Sequence, residues 1–370
     1  MVSVPMNDTT ASQALMLENR LRKRYRHLSK WARRTGTGAF RLYDRDIPEI
    51  PLVLDLYRGE AGEAAPAGEG GPPSPAGKFV AGWLYRRPYE KDPAEEEAWL
   101  AAMVGAAGRA LEIPVSDFFI RERRRQRGGL QHEQPRDGRR LRLRISEGGL
   151  QFWVNLSDHL DTGLFLDRRL LRARLRDMAA GKRVLNLFAH TCSFSVYTAA
   201  GGAALVDSVD LSATYLDWGR RNFTLNGLGG RPEFQFIRAD ARPFLAGAVL
   251  ARRRWDLIIL DPPTFSNSKM MEGVLDIKRD HGTLLEQCLA LLNPGGSLVF
   301  SVNMRGFKLE SFKLESFKLE SFKLESFKLK SFKPSGGMPQ GRAPLDLTEK
   351  LRDEDFKGRK IPACYVYGPG

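Results

Sequence analysis

The chain reads as an α/β protein with a doubly wound sheet, preceded by a small α+β module. Three observations predict this. Strands and helices alternate from Lys182 onward. The strands there, such as Leu257-Ile258-Ile259-Leu260, are apolar without alternation, as expected where helices cover both faces of a sheet. Residues before Lys182 instead show short strands around few helices. With 370 residues and 42% hydrophobic content, there is material for two cores.

The stretch Ala14–Arg34 places Leu17, Leu21, Tyr25, Leu28 and Ala32 at helical spacing, with Arg and Lys on the other faces. Residues 1–13 before it are expected to form a flexible tail. Strands follow at Ala39–Tyr43 and Leu52–Tyr57. Gly59–Gly77, rich in Gly, Ala, Pro and Glu, reads as a mobile loop. Lys78–Tyr85 is a strand and Pro93–Leu111 a helix opening on Pro. Asp117–Glu122, Leu141–Ile145 and Gln151–Val154 complete the strands of a module spanning 14–155. The larger domain, 156–370, carries strands at Arg183–Phe188, Ala204–Val209, Glu233–Arg238, Trp255–Leu260 and Ser297–Val302. Its helices lie at Ser193–Ala200, Ser212–Asn226, Ala241–Leu250 and Ile277–Leu292. Phe307–Lys333 is a five-residue repeat, Phe-Lys-Leu-Glu-Ser. Five residues turn a helix by about 500°, and an odd period alternates faces in a strand, so neither builds a coherent buried stripe. It reads as an expansion within a loop. Stacking of its Phe and Lys residues on single-stranded RNA is the functional alternative.

Composition removes several classes. No apolar run approaches the roughly 18–20 residues of a spanning helix. Met1–Thr10 lacks a basic start followed by an apolar segment, so no secretory signal is expected. The 3 cysteines, Cys192, Cys288 and Cys364, are too widely spaced for a zinc motif, and a reduced, cytoplasmic setting is the simplest reading. The net charge of +14 favours a polyanionic partner. Dense arginines across Arg121–Arg144, with Arg168–Arg176, Lys182 and Arg183, form a candidate phosphate-binding surface, though a charge run is often only a solvated face.

In a doubly wound sheet a ligand sits at the carboxyl ends of the strands, where strand order reverses. The first such end is Asn186-Leu187-Phe188-Ala189-His190-Thr191-Cys192-Ser193, leading into a helix whose first N–H groups can meet a nucleotide-like ligand. Asp210, followed by Leu211-Ser212, ends the second strand, 24 residues after Asn186, where an acid suits ribose hydroxyls. Asp240-Ala241 ends the third, where a carboxylate suits an adenine amino group. An Asp closing a strand is equally the ordinary N-cap of the next helix.

The sharpest motif follows the fourth strand: Asp261-Pro262-Pro263-Thr264-Phe265-Ser266-Asn267-Ser268-Lys269. Two prolines remove two donors and stiffen the backbone, so that neighbouring carbonyls can face a ligand. Asp261 and Phe265 would then flank one small space, suited to a flat base. A rigid turn with a buried Phe is the plainer reading.

These motifs resemble the ribosomal RNA large-subunit methyltransferase K/L family, in its C-terminal half. The resemblance includes Glu18–Lys23, Lys30–Arg33, Phe40–Asp44, Trp153–Leu156, Asp161–Asp167, Asn186–Phe188, Val209–Ser212, Asn222–Gly227, Asp261–Lys269 and Arg305–Phe307. It implies a Rossmann-like class I methyltransferase using S-adenosylmethionine on guanine N7 of 23S rRNA or its large-subunit precursor. It also implies that Phe165 and Asp167 join Asn186, Phe188, Ala189, Thr191, Cys192, Ser193, Asp210, Leu211, Ser212, Asp240, Ala241 and Asp261 in holding the cofactor. Asp261, Pro262, Pro263 and Phe265 are the candidates at the reacting centre, and Asn303, after the fifth strand, offers an amide for hydrogen bonding near the base. Where the family commonly has Tyr-Thr-Gly, this chain has His190-Thr191-Cys192; if that turn needs φ > 0, Cys costs around 1 kcal/mol against Gly. Covalent cytosine-5 chemistry is the rival reaction. Its thiol would be expected just after the fifth strand, where Ser301-Val302-Asn303 stands. A degenerate fold retained as an RNA-binding or assembly factor is a third reading, and a protein methyltransferase a fourth.

Overall fold

A computed structural model describes residues 8–60, 76–123 apart from 88 and 90, 141–304 apart from 158, 160, 269 and 272, then 306, 307, 309 and 344–368. Contacts divide it into two units, Met1–Arg169 with Asp353–Lys360, and Leu170–Arg352 with Ile361–Gly370.

In the first unit, α1 (Asp8–Thr35) buries Ala14, Leu17, Leu21, Leu28, Trp31 and Ala32 along one stripe. The expected tail is corrected here: residues 8–13 are helical, and 1–7 lie outside the described residues. Asp8 complements the helix dipole, and Gln13, in the second turn, accepts a 2.6 Å hydrogen bond from Trp99 Nε1. β1 (Ala39–Asp44), β2 (Leu52–Gly59), β3 (Gly77–Tyr85) and β4 (Phe118–Arg123) form a sheet in that order, with only the β3–β4 pair parallel. α2 (Pro93–Leu111) packs beside α1; Asp92 caps it by accepting from the N–H groups of Ala94 and Glu95. Of the expected loop between β2 and β3, both ends are strand, paired Gly59 to Gly77, and 61–75 lie outside the described residues. β5 (Arg142–Glu147) and β6 (Leu150–Asn155) make a hairpin whose turn needs two positive φ values, supplied by Gly148 and Gly149. Most of the arginine-dense stretch, 124–140, lies outside the described residues.

A charge cluster ties this unit together. The buried Arg169 guanidinium donates to Glu147, Asp353 and Asp355, and to the Ala39 carbonyl at 2.7 Å. The Asp355 carboxylate also accepts from the Arg41 N–H at 3.0 Å, and Arg359 pairs with Asp46 at 3.0 Å. The expectation that Arg168–Arg176 forms a solvent-facing basic cluster is therefore corrected for Arg168, Arg169 and Arg172. All three are buried, Arg169 because three carboxylates neutralise it.

The second unit begins within α3 (Arg169–Met178), where the buried Arg172 guanidinium lies over the Tyr197 ring. The elements then alternate: β7 (Arg183–Leu187), α4 (Ser193–Ala200), β8 (Leu205–Asp210), α5 (Ala213–Leu225), β9 (Phe234–Arg238), α6 (Ala241–Leu250) and β10 (Trp255–Leu260). A small hairpin, β11 (Phe265–Ser266) with β12 (Leu275–Asp276), precedes α7 (Ile277–Ala290) and β13 (Leu292–Val302). β14 (Leu345–Asp346) and β15 (Ala363–Tyr367) close the chain. The sheet order is β14-β15-β13-β10-β7-β8-β9; β7 to β10 and β13 are parallel, and β15 runs antiparallel to β13. The winding runs outward from β7 through β8 and β9, then returns to β10 on the other side of β7. That reversal opens the crevice at the strand tips. Leu185, Leu187, Ile258, Leu260, Leu298 and Phe300 fill the core. Phe307, assigned by spelling to the repeat, packs against His281, Phe300 and Tyr365 and belongs to the fold. Residues 310–343 lie outside the described residues.

Candidate cofactor and active site

β7 stops at Leu187 because the next residue turns left-handed. Phe188, His190 and Cys192 have φ of 57°, 50° and 60°, three non-glycine residues in the αL region at alternate positions. L-residues pay roughly 1–2 kcal/mol each there, so surrounding contacts must hold this loop. They do so from every side. The Ala189 N–H donates to Val209 O at 3.0 Å, and the Cys192 N–H to Ala189 O at 2.8 Å. Asn222 Nδ2 donates to Thr191 O at 3.0 Å. Beneath, the fully buried Asn186 donates through Nδ2 to Ser195 Oγ at 2.9 Å, and Ser208 Oγ donates to the same hydroxyl. Ser193 opens α4. The side chains of Asn186, Thr191 and Cys192 are buried, so they support the loop from within.

Asp210, at the tip of β8, is the front clamp. One carboxylate oxygen accepts from the His190 N–H at 2.8 Å, the other from the Ser212 N–H at 2.8 Å. Ser212 in turn caps α5, its Oγ accepting from the Tyr215 N–H at 3.2 Å. The His190 ring lies on Tyr215, with centroids 4.1 Å apart. Leu211 offers its carbonyl to Arg238 Nε at 3.4 Å.

At the tip of β9, Asp240 caps α6. It accepts from the Arg242 N–H at 3.0 Å and pairs with the Arg242 guanidinium at 3.1 Å, with Ala241 buried beside it. Asp240 is thus the N-cap of α6, and its carboxylate stands at the β9 tip. Asp261 follows β10 directly, half-buried, with Pro262 buried and Pro263 exposed. Thr264 Oγ1 donates to the Asn303 carbonyl at 3.0 Å, tying this turn to the end of β13. Phe265 is 58% exposed, which removes the plainer reading of a buried turn residue. It pairs through the backbone with Asp276. Lys269 lies outside the described residues. Phe165, 47% exposed, and Asp167, in a single 3-10 turn, belong to the first unit.

Sequence reasoning did not single out Arg242, Tyr215 or Gly219. Only Gly219 carried a signal, as a glycine inside the helical stretch Ser212–Asn226.

Carboxylates at three successive tips, Asp210, Asp240 and Asp261, suit a ligand rich in hydroxyl and amino donors and carrying a cation. S-adenosylmethionine, with its ribose, adenine amino, ammonium and sulfonium groups, has that chemistry. Among the described residues no group of His, Cys, Asp and Glu is arranged to hold a metal ion. All three cysteines are free and buried. Burial, with the Asp210 charge second, pushes the Cys192 thiol far up, and burial does the same to Cys288, so both stay protonated near neutrality.

A class I fold with this loop and these tips defines a methyltransferase, and residues 135–328 match the family model described as S-adenosylmethionine-dependent methyltransferase. The chain belongs to that family, in the group of the ribosomal RNA large subunit methyltransferases K/L. It is 39% identical over 361 residues to ribosomal RNA large subunit methyltransferase K of Neisseria meningitidis serogroup B, covering 98% of this chain and 88% of that one. It is 45% identical over 300 residues to ribosomal RNA large subunit methyltransferase K/L of Methylococcus capsulatus, covering 81% of this chain but 38% of that longer protein. A solved chain described as a SAM-dependent methyltransferase from Streptococcus mutans shares the fold, with a TM-score of 0.63 and 21% identity over 99% of this chain and 83% of that one. A similar match, a methyltransferase complexed with SAH, has a TM-score of 0.65 at 21% identity.

Proposed function

We propose that the protein transfers a methyl group to guanine N7 of 23S rRNA or its large-subunit precursor. The observation that carries this is the exposed Phe265, which follows Asp261 and the two prolines on a turn braced by Thr264 against the end of β13. S-adenosylmethionine supplies an electrophilic methyl group on a sulfonium. The loop 188–193, with Asp210, Leu211 and Ser212, holds the donor, Asp210 toward the ribose and Asp240 with Ala241 toward the adenine. Within that loop the Ala189 N–H is committed to Val209 O, so it fixes the backbone rather than the donor.

Guanine N7 carries an in-plane lone pair, so attack on the methyl group needs no prior deprotonation. Catalysis then rests on in-line positioning and on stabilising the charge that builds on the base. Phe265 stacks on the base, and Asp261 offers the carboxylate. Pro262 and Pro263 keep the turn from collapsing onto the crevice, and Asn303 faces the base edge. Because N7 lines the deep groove of A-form RNA, a paired guanine is unstacked or presented from an opened helix. The first unit, with the arginines that follow β4, binds RNA phosphates. An rRNA substrate favours a cytoplasmic location.

The test uses tritiated S-adenosylmethionine with unmodified 23S rRNA, followed by mapping of the labelled base. Label on N7 of one guanine is expected, abolished in Asp261→Ala with RNA binding retained. Label on a cytosine carbon would replace this reading with the covalent reaction, against which the buried, protonated Cys192 and Cys288 thiols argue. Absence of both label and calorimetric cofactor binding would leave an RNA-binding factor.

A further inference from the structure

We infer that Cys192 and Gly219 form a matched wedge and socket that positions the cofactor loop. The inference rests on the reading of that loop as the donor's cradle. Cys192 stands at φ 60° and is fully buried, so its backbone is in a conformation its side chain disfavours and its thiol has a fixed destination. That destination is the face of α5 at Gly219. A Cβ built on Gly219 would collide with Cys192 Sγ and would stand 2.9 Å from Cys192 Cβ, while its next neighbour, Phe236, is an ordinary 3.5 Å away. The space a side chain at Gly219 would need is therefore already taken by Cys192. Cys192 Sγ also lies 3.7 Å from the His190 carbonyl, within the same loop.

The consequence reaches Asp210. α5 begins at the Ser212 cap, and the Ser212 and His190 N–H groups share the Asp210 carboxylate. The loop is thus gripped in front by Asp210 and behind by Gly219, through one rigid helix. Filling the socket displaces the loop by about 1 Å, a scale at which misplacement costs on the order of a hundredfold in a positioned reaction. Cys192 acts through the loop backbone and is a positioning residue.

The full-length protein is titrated calorimetrically with S-adenosylhomocysteine, and cysteine exposure is read by maleimide labelling with peptide mass mapping. Gly219→Ala should weaken binding on the order of tenfold or more and expose Cys192 to maleimide, while RNA affinity is unchanged. Adding Cys192→Gly, which empties the wedge, should restore affinity to within about threefold of the wild type. Adding Cys192→Ala should not, because its Cβ still obstructs the socket. Wild-type affinity in Gly219→Ala, or equal rescue by the Gly and Ala partners, overturns the inference. A wild-type protein that shows the expected thiol protection but binds no S-adenosylhomocysteine overturns the methyltransferase reading, and the positioning role with it.

Discussion

Replacing Asp210 with alanine removes the acceptor of two 2.8 Å hydrogen bonds, from the N–H groups of His190 and Ser212. Hydrogen bonds to a charged group contribute about 1.5–3 kcal/mol each, and their loss leaves both donors unpaired in a half-buried setting. The loop they restrain carries three αL residues, at roughly 1–2 kcal/mol apiece, and so has a strong tendency to relax once released. Losing even one such contact to the ribose accounts for about 1.5–3 kcal/mol of ligand affinity, a factor of roughly 10 to 150. Asp210→Ala is therefore expected to weaken S-adenosylhomocysteine by at least that range in calorimetry. Asp210→Asn should fall close to it, because its amide accepts from one N–H but opposes the other with a second donor. Asp217→Asn is the control: that carboxylate is exposed on α5 and pairs with Arg220. Affinity within twofold of the wild type in Asp210→Ala would refute the reasoning.

Phe265→Ala should leave the unfolding free energy within about 0.5 kcal/mol, since the ring is exposed, yet reduce methyl transfer by the roughly 1–3 kcal/mol of a lost base stack; unchanged turnover on rRNA would remove its stacking role. Arg169→Ala strands the buried Glu147 and Asp355 carboxylates and should cost about 3–5 kcal/mol in urea denaturation, with a loss below 1 kcal/mol counting against the cluster. Glu354 is held below its ordinary value of 4.5, first by the Lys357 hydrogen bond and then by His27, and Asp280 below 3.8, first by the Arg279 hydrogen bond. Carboxyls depressed in the folded state contribute stability above their ordinary values and lose it as pH falls through the folded ones. Thermal stability should therefore decline in acid below pH about 4.5, less steeply in Glu354→Gln; an identical acid slope in that variant would exclude the contribution.

What the sequence could reveal depended on how local each cause was. The unbroken apolar run of β10 announced a central strand, because both of its faces are buried whatever the distant partners are. The tips were legible because each acid sits at a strand end: Asp210 closes β8, Asp240 lies two residues past β9 and Asp261 follows β10 directly. The fate of Arg169 was not legible. Its partners Asp353 and Asp355 lie 184 and 186 residues away, and without them a run of arginines reads as a solvated face. The return of Asp353–Lys360 to the first unit was hidden likewise. The expected division at 155/156 differs from the contact division at Arg169/Leu170, which falls inside α3. β13 begins at Leu292 rather than Ser297 because Leu292 pairs with Trp255 ahead of an irregularity in register. At Cys192, local sequence posed the question of a strained turn, and only the facing helix, with its glycine, answered it.

The most direct test is amide hydrogen exchange of the full-length protein with and without S-adenosylhomocysteine. Added protection is predicted at 188–193, 210–212, 239–242 and 261–264, the tips of β7, β8, β9 and β10. Protection confined to other segments, or none at saturating ligand, would contradict the account.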